Sequence, residues 1–152
     1  MAGEPHTTRP AAAVCGPISH AIVRLAKAHK AHARQLLREV GLHPGQELIL
    51  MMLWDCGPQR QSELATQFDT DSASMTRSVQ RLERAGYVRR VADPADGRAT
   101  LVEPTPASLV LRERIELLWS RLEADTVGAM SPAEQRAALR ALQCLEGNLP
   151  CT

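Results

Sequence analysis

Apolar positions, with two histidines among them, repeat with the period of a helix near both ends of the chain. They alternate at spacings of four and three residues in three segments: Ile18, Ile22, Leu25, His29, His32 and Leu36; Leu111, Ile115, Leu118 and Leu122; Ala138, Leu142, Leu145 and Leu149. Residues three or four apart share one face of a helix, so the pattern predicts three amphipathic helices. Gly41 is expected to end the first, and Ser131-Pro132-Ala133-Glu134 to cap the start of the last.

The centre of the chain predicts shorter helices. Pro44 is expected to open a helix whose apolar run ILMMLW is too continuous for the surface and therefore belongs in the core. A short helix at 61–67 precedes a longer one that Asp71 caps and Gly86 stops. A four-residue turn between two helices is typical of a helix-turn-helix.

Two short segments after Gly86 have the alternation of strands. Residues 87–91 and 98–103 flank the polar stretch Asp93-Pro94-Ala95-Asp96-Gly97, in which Asp96-Gly97 is expected to make the turn of a hairpin. The expected fold class is therefore mainly α with a small β-hairpin.

The three apolar helix faces exceed what the small central unit can cover. We expect residues 18–40 and 105–149 to form a helical dimerisation region in which two chains wrap together. An antiparallel bundle within one chain is the alternative. Residues 1–17, with three prolines and no long apolar run, are expected to be a flexible tail.

Length, composition and missing motifs narrow the range of possible functions. At 152 residues the chain matches one domain, and its longest apolar run, Leu48 to Trp54, is too short for a bilayer. No secretory signal is recognisable, and the four scattered cysteines form no CxxC pair. These features favour a cytoplasmic protein with reduced thiols and no membrane association. Phosphate-binding, hydrolase and zinc motifs are missing, so neither an enzyme nor a cofactor or metal site is predicted.

Positive charge is concentrated locally although the formal net charge is only +1. Residues 76–90 contain five arginines against a single glutamate. Such a concentration, rather than the total charge, is what attracts nucleic acid. A solvated helix face of no functional importance is the alternative interpretation.

The segment from Gln61 to Thr105 closely resembles the core of the MarR (multiple antibiotic resistance regulator) family. The resemblance rests on Ser62-Glu63-Leu64-Ala65, Thr76-Arg77, Arg81-Leu82-Glu83, Gly86-Tyr87-Val88-Arg89-Arg90 and Asp93-Pro94-x-Asp96-x-Arg98. It departs from the family at Asp69-Thr70 in the turn, at Arg60 where a capping threonine is common, and at Pro104-Thr105-Pro106 after the hairpin, which lacks the usual glycine.

The resemblance implies a winged helix-turn-helix at 42–104 that binds double-stranded DNA. It also implies a homodimeric transcriptional repressor with a pseudo-palindromic operator and a small-molecule effector. A winged-helix module that binds another protein, without sequence-specific DNA binding, is the alternative function.

Candidate DNA-binding residues follow from the helix period. Met75, Val79 and Leu82 should be buried, which leaves an outward face with small residues flanking its start: Ser72, Ala73, Ser74, Thr76, Arg77, Gln80, Arg81 and Arg84. Arg77 is expected to read a base, while Arg81 and Arg84 meet phosphates. The hairpin corresponds to the wing, and its candidate DNA-binding residues are Arg89, Arg90, Asp96 and Arg98. The resemblance implies that Asp96 orients Arg98 for the minor groove.

Two histidines of the first predicted helix are candidates for an effector site. His29 and His32 lie three residues apart on one helix face, a spacing that fits a carboxylate-binding pocket or a metal site; ordinary hydrogen bonding at the dimer seam is the alternative. Cys15 lies near the position of a reactive thiol in the peroxide-sensing subgroup, but no tyrosine accompanies it.

Overall fold

The computed structural model describes residues 10–150. Seven helices and three strands occur in this range: α1 (Ala11–Cys15), α2 (Pro17–Glu39), α3 (Gln46–Cys56), β1 (Gln59–Arg60), α4 (Gln61–Gln67), α5 (Ser72–Arg84), β2 (Val88–Asp93), β3 (Asp96–Pro104), α6 (Pro106–Val127) and α7 (Pro132–Gly147). The predicted fold class is confirmed. None of the helices in this part of the chain is long and apolar enough to cross a membrane.

The core forms around α3 and α6. Leu50 and Leu53 of α3 are almost fully buried, and they belong to one cluster with Ile115 of α6 and Leu37 of α2. The central position predicted for the ILMMLW helix is confirmed. This cluster holds the helix-turn-helix against the two long helices.

The sheet is antiparallel, with strand order β1-β3-β2. Val88 of β2 and Val102 of β3 are buried and fix the base of the hairpin on the core. The two-residue β1 pairs with β3 through Gln59 opposite Val102 and Arg60 opposite Leu101. The hairpin therefore extends away from the core beyond a narrow three-stranded base.

Four details differ from the sequence-based expectation. Helix α1 lies within the segment expected as a flexible tail, of which residues 1–9 fall outside the described range. Strand β1 was not anticipated. Helix α3 begins after Gly45 rather than at Pro44, because the left-handed φ of Gly45 (93°) lies outside the helical region. Asp96 and Gly97 belong to β3, and Pro94-Ala95 form the turn instead.

The apolar face of α6 is buried within the single chain. Leu111, Ile115, Leu118 and Leu122 are at most 7% exposed. Assigning this face to a seam between two chains was therefore wrong, because α6 uses it to pack against α2 and α3. By contrast, Ile18, Ile22 and Leu25 of α2 remain 42–59% exposed.

Candidate nucleic-acid interface

The start of α5 is fixed by an aspartate cap. The backbone N–H of Ser74 donates to Oδ1 of Asp71 over 2.8 Å, and the Ser74 hydroxyl donates to Oδ2 over 2.9 Å. These bonds, the backbone one above all, lower the pKa of Asp71 below its ordinary value. The predicted cap at Asp71 is confirmed. It fixes the start of α5 at Ser72, directly after the turn of the helix-turn-helix.

Helix α5 has one buried and one exposed face. Met75, Val79 and Leu82 are at most 2% exposed, which confirms the predicted inner face. The outer face consists of exposed residues: Ala73, Arg77, Gln80, Arg81 and Arg84. No carboxylate among residues 10–150 forms an ion pair with the three arginines of that face. Within the described chain these arginines therefore have no carboxylate in direct contact, and Arg77 alone interacts electrostatically with Asp71, whose pKa it helps to lower.

Thr76 joins the two helices of the motif. Its hydroxyl donates to the carbonyl of Ser72 over 2.8 Å and accepts from Nε2 of Gln61 in α4 over 2.7 Å. The side chain is half-buried. Thr76 therefore positions α5 on α4, a role that the helix period did not reveal.

Arg77 lies back over the first turn of its own helix. Its Nη2 donates to the Ser74 hydroxyl over 3.0 Å, and Ser74 is in turn held by Asp71. The guanidinium is thus fixed near the N-terminal end of α5, which is the end that enters the major groove in helix-turn-helix proteins.

The arginines of the hairpin fall into two groups. Arg89 pairs with Glu103 across the two strands, and Nε of Arg90 lies 3.3 Å from Glu83 of α5. Arg98 is exposed near the turn, and its guanidinium makes no ion pair within residues 10–150. Asp96 accepts from the backbone N–H of Arg98 over 3.1 Å. It therefore shapes the start of β3 and does not hold the guanidinium.

An ion pair with a buried carboxylate involves two residues outside the predicted site. Arg60 donates to Oδ2 of Asp93 from Nε over 2.9 Å and from Nη2 over 2.6 Å. The other carboxylate oxygen accepts from the backbone N–H of Ala95 over 2.9 Å. That backbone bond and the arginine lower the pKa of Asp93, while Asp93 raises the pKa of Arg60. The sequence signals were that Arg60 departs from the usual threonine and that Asp93 opens the hairpin motif, but neither signal pointed to a contact between the two residues.

The exit of the hairpin is fixed by a corner at Thr105. The Thr105 N–H donates to the carbonyl of Tyr87, and its hydroxyl donates to the carbonyl of Gly86. The carbonyl of Thr105 accepts from the hydroxyl of fully buried Ser108, which accepts from the indole N–H of Trp54. This corner ties the end of α5, the end of β3 and the start of α6 together.

A cavity of about 470 Å³ lies between α2, α3, α5 and α6. Leu37, Met75, Leu118 and Leu122 contribute apolar walls, and His29 is among the lining residues. His32 lies elsewhere, with Nε2 2.8 Å from Oδ2 of Asp125 on α6. The structure therefore does not bring the two histidines into one site.

The cavity also has one buried acidic residue in its lining. Glu47 is 7% exposed and accepts from the backbone N–H of Gly45 over 2.8 Å. Burial raises the pKa of this carboxyl above its ordinary value, and backbone hydrogen bonds partly oppose the rise. No cluster of three or more histidine, cysteine or acidic residues within 10–150 is arranged to hold a metal ion.

An exposed arginine face on the second helix of a helix-turn-helix, next to an antiparallel hairpin, defines the winged helix-turn-helix class of DNA-binding proteins. Residues 42–100 match the model of the MarR family. This chain belongs to that family, as its sequence motifs predicted, and it is a transcriptional regulator of MarR type.

Relatives in sequence agree with this assignment, and a solved structure shares the fold. The helix-turn-helix-type transcriptional regulator YxaD of Bacillus subtilis is 36% identical over 104 residues, 61% of this chain and 73% of YxaD. YcgE of the same bacterium is 34% identical over 65% of this chain, but only 60% of YcgE is covered. BpsR of Bordetella bronchiseptica has the same fold, with a TM-score of 0.76 and 24% identity over 97% of this chain and 100% of BpsR.

Proposed function

We propose that this chain is a homodimeric, sequence-specific repressor that places α5 in the major groove and the hairpin, its wing, in the minor groove. The observation that carries the proposal is the exposed arginine face of α5, which forms no ion pair within residues 10–150, beside a wing that exposes Arg98. A cytoplasmic location follows from this function.

The arginines of α5 and those of the wing have different roles in this proposal. Arg77, fixed near the start of α5, reads a guanine edge. The small side chains of Ala73 and Ser72 allow the helix to approach the DNA closely. Arg81 and Arg84 contact phosphates, and Gln80 lies beside them on the same outer face. Arg98 enters the minor groove, whose negative potential attracts a guanidinium. Arg89 and Arg90 add less because each already has a carboxylate partner.

Exposed apolar side chains support the homodimer. They lie on the outer faces of the terminal helices: Ile18, Ile22, Val23, Leu25, Leu109, Val110, Leu117, Leu139 and Leu142. Leu149 is also exposed, but it follows the end of α7 at Gly147 and does not belong to the helix, although the sequence pattern predicted that it would. Large contiguous apolar surface on a soluble protein marks an interaction site. A two-fold dimer would place its two α5 helices in successive major grooves, about one helical turn apart.

The cavity between α2, α3, α5 and α6 supports control by a small molecule. Its volume is in the range of ligand pockets, and its walls belong both to the DNA-reading helix and to the long helices. The solved structure of BpsR concerns regulation of its DNA binding by 6-hydroxynicotinic acid. We therefore propose that an effector in this cavity changes the distance between the two α5 helices.

The test begins with selection of duplexes from random sequence by the purified protein. A homodimeric reader should recover a pseudo-palindrome with half-sites about one helical turn apart. Affinity for random duplex should fall steeply with salt, because several phosphate contacts release counterions. A flat salt response and no enriched sequence would refute the proposal and favour a protein-binding module.

Two variants then separate base reading from anchoring. Arg77→Ala should weaken binding to the selected operator by about 1–3 kcal/mol per half-site and change binding to random duplex little. Arg98→Ala should weaken both duplexes by similar factors and reduce the salt slope. Arg140→Ala removes the same charge from the face of α7 opposite Leu142 and serves as the control. The reverse pattern in the two variants would exchange the assigned roles.

A further inference from the structure

We infer that Arg60 is a positioning residue that fixes the wing, and with it Arg98, relative to α5 through its ion pair with Asp93. This inference rests on the proposed function, because it requires that α5 and the wing contact the same DNA. Arg60 itself is not assigned a DNA contact.

The ion pair connects two parts that the sheet joins weakly. Strand β1 is only two residues long, and β3 separates it from β2. Arg60 pairs along its backbone with Leu101 of β3, yet its side chain reaches Asp93 at the far end of β2. The guanidinium therefore crosses β3 and braces the sheet diagonally.

Each end of this brace is fixed to a DNA-reading element. The backbone N–H of Arg60 donates to Oε2 of Glu63 over 3.0 Å, which holds Arg60 at the start of α4. Helix α4 packs on α5 through the bond from Gln61 to Thr76. At the other end, Asp93 accepts from the N–H of Ala95 in the turn that leads to Arg98.

Burial and geometry make this contact stiffer than a typical surface ion pair. The Asp93 side chain is 8% exposed and its Oδ2 accepts from two nitrogens of the same guanidinium. Surface ion pairs contribute little when both partners are solvated, whereas charge-assisted bonds of fixed geometry to a shielded carboxylate orient their partners. The pair is thus suited to fix the angle of the wing.

The test compares Arg60→Met and Asp93→Asn with wild type on the selected operator and on a random duplex. Both variants should bind the operator about fivefold more weakly, and the double variant should be no weaker than either single one, since both remove one interaction. In hydroxyl-radical footprints, protection of the minor groove under the wing should be lost, while protection around α5 persists. Arg140→Met controls for the loss of charge.

Combination with Arg98→Ala decides how Arg60 acts. If Arg60 works by positioning the wing, Arg60→Met should have no further effect once Arg98 is removed. An additive loss with a lower salt slope would show that Arg60 touches a phosphate itself, and would overturn the inference. Circular dichroism checks that each variant is folded at the assay temperature.

The remaining outcomes separate this inference from the proposed function. Wild-type protein that binds neither duplex would overturn both. Wild-type binding that Arg60→Met and Asp93→Asn leave unchanged, in affinity and in footprint, would overturn the inference alone.

Discussion

Two adjacent leucines of α6 offer a direct test of how the apolar residues divide between core and surface. Leu118 is 7% exposed, whereas Leu117 is 71% exposed in the single chain. We predict that Leu118→Ala lowers the stability of the fold, while Leu117→Asp changes the state of assembly. The two positions are adjacent on the same helix, and Leu117→Ala is the variant that matches Leu118→Ala in helix propensity.

The burial of each side chain sets the expected magnitude. Truncation of a leucine to alanine removes three carbons at about 0.8 kcal/mol each when fully buried. For Leu118 this gives about 2 kcal/mol, and the space left behind raises the expected loss to about 3 kcal/mol. Leu117→Ala should cost the isolated chain only about 0.7 kcal/mol, in proportion to its small buried fraction.

The assay combines urea unfolding with sedimentation at several protein concentrations. Leu118→Ala should lower the unfolding midpoint and keep the wild-type sedimentation coefficient at micromolar concentration. Leu117→Asp should shift sedimentation toward monomer and leave the far-ultraviolet circular dichroism spectrum unchanged. Equal destabilisation by Leu117→Ala and Leu118→Ala, at protein concentrations where the chain sediments as a monomer, would refute the assignment of Leu118 to the core and Leu117 to the surface. A monomeric wild-type protein would refute the proposed assembly.

Three further predictions concern local contacts. Burial raises the pKa of Glu47 above 4.5, so its contribution to stability is present below that pH and is lost as pH rises through the raised value; in pH-dependent urea unfolding, Glu47→Gln should remove this loss. The pKa of Asp71 is lowered, so its contribution to the free energy of unfolding is present above pH 3.8 and is lost as pH falls further. In acid-induced unfolding, Asp71→Asn should reduce this dependence of stability on pH. Ser131 caps α7 by accepting from the N–H of Glu134; Ser131→Ala should destabilise by about 1 kcal/mol in thermal unfolding, and no change would contradict the cap.

Local signals in the sequence were sufficient to predict the helix-turn-helix. The inner face of α5 and its cap at Asp71 were predicted correctly, because a helix period and a capping side chain act within a few residues. The bounds of α4, Gln61–Gln67, were also predicted, since the polar residues Asp69-Thr70 mark a break directly after it.

Contacts between distant residues could not be predicted in the same way. The period of Leu118 shows which face of α6 is apolar but not whether its own chain or a second copy covers that face. Arg60 and Asp93 are 33 residues apart, and only the folded sheet brings them together. The Asp96-Gly97 pair suggested the hairpin turn, yet the Asp93 carboxylate stabilises a turn at Pro94-Ala95 by binding the Ala95 N–H.

Strand β3 and helix α6 extend as two arms from the corner at Thr105. Leu122, beside the cavity, lies 17 residues along α6 from Thr105, which is about 25 Å at the rise of an α-helix. Arg98 lies seven residues back along β3, or about 23 Å at the rise of a strand. Because the two arms are of nearly equal length, we expect a rotation that carried α6 and β3 together about this corner to move the cavity wall and the tip of the wing by similar distances.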